Sequence, residues 1–423
     1  MAEAGARMEK VECGAGAPAR GWDNQMVALG IYISVPFCKT KCSYCNFASD
    51  VFSRVVFERY VDRVCVDVAN APLLAEEIGG HIEHEVDSIY LGGGTPTVLE
   101  AGQLLRIFDA VRDQFSVPPD AEVTVECAPG TLGPEVLQGL LRCGVNRVSL
   151  GVQSFVDAEA AAVGRLHKRA TVLDDIARLR AAGIANINID LIAGLPHQTA
   201  ESWQESLAET LATGASHASV YMLEVDEDSR LGREVIAGGT RYHAHFVPDE
   251  EATADFYESA CERLEANGVA QYEISNFARP GSESRHNLKY WTRQPYLGFG
   301  VDAHSMLKSA TPEAEAVRFA AADVLEKYVA GSLAQKTAVS TANTLEERFF
   351  LGLRLNCGVD LSEVAADFGQ RAVDNLSTAI SDLISDGLLL RNGNRISLTP
   401  RGRLLSNEVF QCFLAAPGVA VQP

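Results

Sequence analysis

From residue 30 to about residue 225 the sequence alternates six short β-rich runs with segments of helical length. The runs, at 31–35, 87–91, 122–126, 147–150, 186–192 and 219–223, are rich in Val, Ile, Leu and Tyr and are bounded by Gly, Pro or Asn. Helices are expected between them at 57–78, 101–115, 134–143, 172–182 and 201–212, with Pro134 in a first turn and Gly144 and Gly183 as C-caps. Such alternation predicts a parallel sheet with right-handed crossovers. Six units are too few for the eight of a closed barrel. The expected fold class is α/β, either a partial, open (β/α)6 barrel or an open doubly wound sheet.

Beyond residue 225 the regularity lapses. A helix is expected over 249–267, and 273–296 reads as a loop. Helices are expected again at 344–356, 361–368 and 372–386, then strands at 388–391 and 395–398 joined by Asn392-Gly393-Asn394, and a last helix over 401–412. Asn-Gly between strands signals a hairpin, and helices followed by a hairpin resemble a winged helix. The expected organisation is a disordered tail over 1–28, a partial barrel over 29–228, a connecting region over 229–339, a winged-helix-like module over 340–415 and a tail over 416–423.

The chain carries 36 Lys and Arg against 56 Asp and Glu, a net charge of −20. An acidic surface repels phosphate backbones and anionic lipid, so nucleic acid is not expected as a partner. Residues 340–423 hold seven Arg, no Lys and nine Asp and Glu, without the basic footprint of a DNA-binding wing. No apolar run reaches the length of a membrane span. The N-terminal stretch lacks the apolar core of a secretory signal, and Glu3, Glu9 and Glu12 are out of place in a transit peptide. A cytoplasmic protein is expected, in which clustered thiols among the ten cysteines mean metal or redox chemistry.

Cys38-Lys-Thr-Lys-Cys42-Ser-Tyr-Cys45 follows directly on the first expected strand. Three thiolates this close can wrap one metal centre. Structural zinc needs four ligands, usually as two separated pairs, and ferredoxin-type clusters normally take four cysteines. Three local ligands suit a [4Fe–4S] cube with one iron left open for substrate or cofactor. The alternative is a zinc or redox loop completed by a remote residue, with Cys127 the best candidate.

Further polar groups recur where the strands end. Gly92-Gly93-Gly94-Thr95-Pro96 follows the second, Glu126 ends the third, Gln153 follows the fourth, and Asp190 lies in the fifth. Parallel strands present their carboxyl ends on one side, and ligands bind outside that edge. Chain direction alone therefore gathers these residues at one cleft with the cysteine loop. The Gly run admits close approach of a ligand but is not G-x-G-x-x-G, so a dinucleotide site is unsupported. Glu126, Gln153 and Asp190 can bind hydroxyl, amine or cationic groups, or act as structural polar residues. Arg165 can pair with a carboxylate or stand as a surface charge.

Tyr32-Ile-Ser-Val-Pro-Phe-Cys38 through Cys45-Asn-Phe47 resembles the radical S-adenosylmethionine (SAM) superfamily, and within it the oxygen-independent coproporphyrinogen III oxidase family. The resemblance extends through Tyr90-Leu-Gly-Gly-Gly-Thr-Pro, Val125-Glu-Cys-Ala-Pro-Gly-Thr131, Arg147-Val-Ser-Leu-Gly-Val-Gln-Ser-Phe155, Gly164-Arg-Leu-His167, Asp190-Leu-Ile-Ala-Gly-Leu-Pro196 and His286-Asn-Leu-Lys-Tyr-Trp291, over roughly residues 30–415. The true oxidases carry a further cysteine two positions after the third, where this chain has Phe47. The Cys-Asn-Phe ending and the His-Asn-x-x-Tyr-Trp element are similar to the HemW-type branch, the haem chaperones.

The resemblance implies a partial (β/α)6 TIM-like barrel with a small C-terminal domain. It implies that Cys38, Cys42 and Cys45 bind three irons of a [4Fe–4S] cluster whose open iron chelates the methionine part of SAM. Tyr32 and Tyr44 would lie beside cluster and cofactor, Gly93, Gly94 and Thr95 would contact the methionine end, and Glu126, Gln153, Arg165 and Asp190 would hold the remaining SAM groups. The chemistry implied is electron donation that cleaves SAM to methionine and a 5′-deoxyadenosyl radical. His286 is a candidate axial ligand of haem iron, with Tyr290 and Trp291 stacking on the macrocycle; the alternative packs all three into a domain junction. His304 and His167 are second-rank ligand candidates, and His243 and His245 are expected to be solvated. The function implied is to bind haem and pass it to acceptor proteins, some of them membrane-bound, with a low-potential electron donor and a second copy of the chain as further partners. The competing functions are oxidative decarboxylation of coproporphyrinogen III to protoporphyrinogen IX, which Phe47 disfavours, and a radical SAM reaction on an unrelated substrate.

Overall fold

A computed structural model describes residues 27–331 and 333–414. The tails expected at 1–28 and 416–423 fall outside the described residues, apart from Val27 and Ala28. The six expected strands form: β1 (Leu29–Val35), β2 (Val86–Gly93), β3 (Glu122–Cys127), β4 (Arg147–Gln153), β5 (Asn186–Ala193) and β6 (His217–Met222). They lie side by side in chain order, every neighbouring pair parallel.

Strand side chains alternate between two faces, and here the faces differ in kind. Ile31, Ile33, Leu91, Val125, Leu150 and Ile189 join the main core under helices such as Val55–Ala69 and Ala101–Gln114. The residues between them, among them Tyr32, Tyr90, Glu126, Ser149, Asn188 and Asp190, form the inner face and bond to one another across strands. A closed TIM barrel fills its interior with branched apolar side chains. This partial barrel keeps a polar lumen.

Four strands outside the expected set extend the sheet. β7 (Tyr296–Gly300) joins β1 in parallel, and β8 (His304–Ser309), β9 (Ala316–Ala321) and β10 (Leu333–Val339) follow antiparallel in a 13-stranded sheet. β7 contains Gly298 and Gly300, which locally read as loop. Gly298 is required because a Cβ there would collide with the His304 carbonyl.

The segment 273–296, expected as a loop, holds a strand, Asn276–Ala278, and a helix, Arg285–Trp291. That helix plugs the barrel from below. Its first turn is capped by the Glu122 carboxylate, which accepts from Arg285 N at 3.0 Å and His286 N at 3.1 Å. Lys289 is buried against Asp87 at 2.7 Å and donates to Ala28 O, also at 2.7 Å. Glu122, Asp87 and Ala28 all lie at the amino-terminal ends of strands, the side opposite the expected cleft. The helix expected over 57–78 is two, Val55–Ala69 and Ala71–Ile78, because Pro72 cannot continue the first. The last expected helix divides into Pro400–Leu404 and Ser406–Leu414.

The C-terminal region is winged-helix-like. Helices Thr341–Gly352, Leu361–Phe368 and Gln370–Ser385 pack with a three-stranded antiparallel sheet around a separate core that includes Phe349, Leu376 and Ile396. Buried ions dock it on the barrel: Glu347 takes Arg293 at 2.8 Å and Arg318 at 2.6 Å. The Arg354 guanidinium lies 4.3 Å from the Trp291 ring centroid.

Candidate functional site at the barrel mouth

The cysteine loop starts where β1 ends. Phe37 is buried, stacked on Phe57 at 3.9 Å and edge-on to Tyr60 at 5.1 Å, while Tyr60 Oη donates to Ser34 O at 2.6 Å. Helix Val55–Ala69 therefore fixes the loop's first residue. The loop closes on itself: Cys38 N donates to Asp50 O at 3.0 Å, and Lys41 Nζ donates to Phe47 O and Ser49 O, each at 2.6 Å. Neighbours grip its outer side. Thr40 Oγ1 donates to Gly164 O at 3.1 Å, Leu231 N to Ser43 O at 2.7 Å, and Arg230 to Lys41 O.

Cys38, Cys42 and Cys45 are free thiols. Burial raises the Cys38 pKa, and the thiols of Cys45 and Cys42 raise it further, against hydrogen bonds from Ser49 and Thr95. Thr95 Oγ1 lies 3.8 Å from Cys38 Sγ, Arg165 Nη1 3.7 Å from Cys42 Sγ, and Ser49 Oγ 3.9 Å from Cys45 Sγ. Among the described residues, no three His, Cys, Asp or Glu side chains gather closely enough for a single metal ion. A [4Fe–4S] cube, whose corners alternate iron and sulfide, would take each thiolate on a different iron and so hold the three farther apart than one ion does. Cys127, the remote candidate for completing a zinc site, is buried in the main core, its Sγ 3.4 Å from Ala128 O and from Thr131 Oγ1. It faces the helices, away from the lumen.

The Gly run laces the second strand to this loop. Gly94 N donates to Val35 O at 2.7 Å and Thr95 N to Phe37 O at 2.8 Å. A Cβ on Gly94 would stand 2.8 Å from Val35 O and 3.1 Å from Cys38 Sγ, so only glycine allows the approach. Gly93 N donates to Glu126 Oε2 at 3.1 Å, and Tyr90 Oη to Glu126 Oε1 at 2.9 Å. These amides are committed within the protein, and the run shapes the wall of the cleft.

The polar wall continues across β3 to β5. Burial, then the charge of Asp190, pushes Glu126 up to about 7. Asp190 is also raised by burial, and accepts from Ser149 Oγ at 2.8 Å and Asn188 Nδ2 at 2.7 Å. Gln153 sits at a bulge with φ of 69°, a conformation that costs energy for a non-glycine residue and clusters at functional sites. Arg165 spans from the Gly151 carbonyl to Cys42 Sγ, and Tyr44 lies within its field. The structure thus brings the cysteines, Tyr32, Tyr44, Gly93, Gly94, Thr95, Glu126, Gln153, Arg165 and Asp190 to one mouth. Sequence reasoning did not single out Tyr90, Ser149 and Asn188. Tyr90 had a signal, since it stands directly opposite Tyr32 in parallel register and shares its face.

The histidines divide sharply. His286 is 1% exposed, with Nδ1 3.0 Å from Ser88 Oγ and Nε2 2.9 Å from Tyr290 Oη. Burial, aided by Lys289 and Arg147, pushes it down to about 3. It is a neutral, doubly bonded residue of the barrel floor, and Trp291 packs the junction with Arg354. The axial-ligand expectation for His286 thus meets an imidazole with no nitrogen to spare. His167 is buried on Val152 O at 3.1 Å. His243 and His245 are exposed, with His243 Nδ1 2.9 Å from His197 Nε2. His304 stands at the rim, its side chain 70% exposed.

The radical SAM superfamily matches residues 32–209 and the HemN C-terminal domain residues 339–405. The heme chaperone HemW of Bacillus subtilis is 36% identical over 387 residues, spanning 90% of this chain and 98% of that protein. The chain belongs to the HemW family of the radical SAM superfamily. Escherichia coli HemW is 30% identical over 394 residues, spanning 92% and 98%. Mouse radical S-adenosyl methionine domain-containing protein 1, mitochondrial, is 34% identical over 274 residues, spanning 65% and 60%. The solved structure of Escherichia coli coproporphyrinogen III oxidase HemN, at 24% identity and a TM-score of 0.77 over 92% of this chain and 90% of that one, shares the fold.

Membership of this family implies a [4Fe–4S] cluster and SAM, and the residues of the HemW-family mouth fit them. Three cysteines share one closed loop beside the Arg165 cation. Ser43 Oγ, Arg165 Nε and Arg230 Nε, all at or against that loop, are buried without a hydrogen-bond partner. The carboxylates and hydroxyls beyond match a ligand carrying ammonium, hydroxyl and carboxylate groups. Among the described residues no helix is long and apolar enough to cross a membrane.

Proposed function

We infer that this HemW-family protein binds haem and transfers it to acceptor proteins. The observation that carries this reading is the match to curated heme chaperones along 90% of the chain, end to end with the relatives themselves. Exposed Phe47, in place of a fourth loop cysteine, supports it. In this reading Cys38, Cys42 and Cys45 hold the cluster, and Tyr32, Tyr44, Gln153, Arg165, Glu126 and Asp190 bind and orient SAM, with Gly93, Gly94 and Thr95 shaping the space for its methionine end. When bound, the pair supplies low-potential electron transfer to a sulfonium. Glu126, pushed up to about 7, can keep a proton on its carboxyl at neutral pH and donate it to a ligand oxygen. The reading places the protein in the cytoplasm, with a low-potential electron donor, a second copy of the chain, and acceptors that include membrane-bound ones as partners.

The test is iron and sulfide analysis of anaerobically purified protein together with a haem titration. Stoichiometric haem binding beside an intact cluster is expected. Conversion of coproporphyrinogen III to protoporphyrinogen IX by the reconstituted protein with SAM and reductant would overturn the reading in favour of the oxidase.

A further inference from the structure

We propose that the lower lumen of the barrel binds an anion of its own, a monocarboxylate gripped by the Arg147 guanidinium and the Thr124 hydroxyl. The two residues are register partners on β4 and β3. Val123, Val125 and Val148 join the main core, so Thr124 and Arg147 turn to the opposite face, into the lumen. Both are buried, Thr124 at 0% and Arg147 at 1% exposure. Among the described residues, Thr124 Oγ1 and Arg147 Nε have no hydrogen-bond partner, and no carboxylate stands within ion-pair distance of the guanidinium. The other buried arginine among them, Arg293, is paired with Glu347 at 2.8 Å and bonded to Thr344 Oγ1 at 3.2 Å.

A guanidinium out of water without a counter-charge is strongly disfavoured, and arginine cannot relieve that by losing its proton. The groups around Arg147 do not supply the missing charge. Tyr90, Asp190, His217, Tyr272 and His286 lie within its field. Asp190 is the one carboxylate of the five, and its oxygens take Ser149 Oγ and Asn188 Nδ2. His217 is held neutral by burial, with Nδ1 2.6 Å from Asn188 Oδ1 and Nε2 2.9 Å from Tyr272 Oη. Glu122, at the foot of β3, is taken up by the first turn of the helix Arg285–Trp291.

This place is separate from the SAM wall. Glu126 pairs with Ser149 at the mouth, and Arg147 lies two residues further down β4, about 7 Å toward the plugged end. The donor set fits a carboxylate. The Nε edge of a guanidinium offers two parallel N–H groups at the spacing of two carboxylate oxygens, and the threonine hydroxyl adds a third donor. A single charge suits the lumen, because Asp190 already brings one negative charge to it and a dianion would be repelled.

The experiment is thermal denaturation of the full chain, carrying its cluster and free of SAM, titrated anaerobically with sodium acetate at fixed ionic strength, with sodium hexanoate as a second probe. The wild-type Tm should rise by about 2 °C and saturate. Arg147→Gln should abolish that rise. Arg147→Lys, which keeps the charge but not the fork, should weaken the apparent acetate affinity about 10-fold, and the nearly isosteric Thr124→Val about 5-fold. Without acetate, Arg147→Gln should melt no lower than wild type, because it removes an uncompensated buried charge. Iron and sulfide content should be unchanged in all three variants, which shows that the fold is kept. Hexanoate binding no tighter than acetate identifies a free small acid. Hexanoate binding about 10-fold tighter identifies the carboxylate end of a larger molecule that reaches down from the mouth. No saturable response in the wild type, or the same response in Arg147→Gln and Thr124→Val, would overturn the proposal. A markedly lower Tm of Arg147→Gln in acetate-free buffer would make the guanidinium a structural group and overturn it as well.

Discussion

The barrel mouth has two sides, and they are built from different materials. Over β3 to β5 the wall is polar and largely withdrawn from water: Glu126, Asp190 and Arg165 are held by hydrogen bonds, and the backbone at Gln153 is strained. Over β1 and β7 the wall is aromatic and open, with Phe47 and His304 in water. Polar groups removed from water must be paired, or they cost stability. A wall that holds half-buried carboxylates and a guanidinium in fixed hydrogen bonds suits a small charged ligand of fixed shape. The other wall leaves one ring, Phe47, in water and three, Tyr32, Tyr290 and Tyr296, half-buried.

The largest expected effect falls on the loop that both sides share. Cys42→Ser should bring the iron and sulfide content of anaerobically purified protein to background while circular dichroism stays native. A cluster that survives would sink the three-thiolate assignment. Arg165→Ala tests whether the sides are separable: SAM affinity should fall by about 10–100-fold, the worth of one charged hydrogen bond, with haem affinity within about twofold of wild type. Equal losses for both ligands would merge the two sides into one site.

Acidity sharpens the contrast between the polar wall and the floor. Glu126 is held at about 7 against an ordinary 4.5, so the folded state binds its proton more tightly than the unfolded one. Its contribution to stability is complete below about pH 4.5 and is lost as pH rises through about 7. In SAM-free protein, Glu126→Gln should therefore gain in unfolding free energy relative to wild type as pH rises from about 5 to about 8, by no more than about 3 kcal/mol, read from urea denaturation. His286 runs the other way. Pushed down to about 3 from 6.5, its contribution is present above 6.5 and lost as pH falls toward 3. The smallest effect is expected at the hydroxyl that satisfies it: Tyr290→Phe should cost about 1–2 kcal/mol in thermal or urea denaturation with the cluster unaffected. No loss there would mean that His286 is not held as described.

The parallel half of the fold and the cysteine loop were legible because their signals are local. Alternating strands and helices, Pro134, the C-capping glycines and the C-x3-C-x2-C spacing each lie within a short window. Parallel direction then placed Glu126, Gln153 and Asp190 at one edge without any contact being known. The antiparallel extension was not legible. β7 finds its partner in β1, some 260 residues earlier in the chain, and its glycines look like turn residues until the collision at Gly298 is seen. The polarity of the inner face was present in the sequence as Tyr32, Tyr90, Ser149 and Asn188, but its meaning needed register. His286 ranked ahead of His304 as a ligand candidate in the sequence, but that the first is buried and the second exposed was not legible, because burial is a property of the whole fold.

The helix Arg285–Trp291 stoppers one end of the lumen with buried Lys289 and His286. That end of the lumen is therefore closed, and a ligand held at the carboxyl ends of the strands comes and goes from the opposite side.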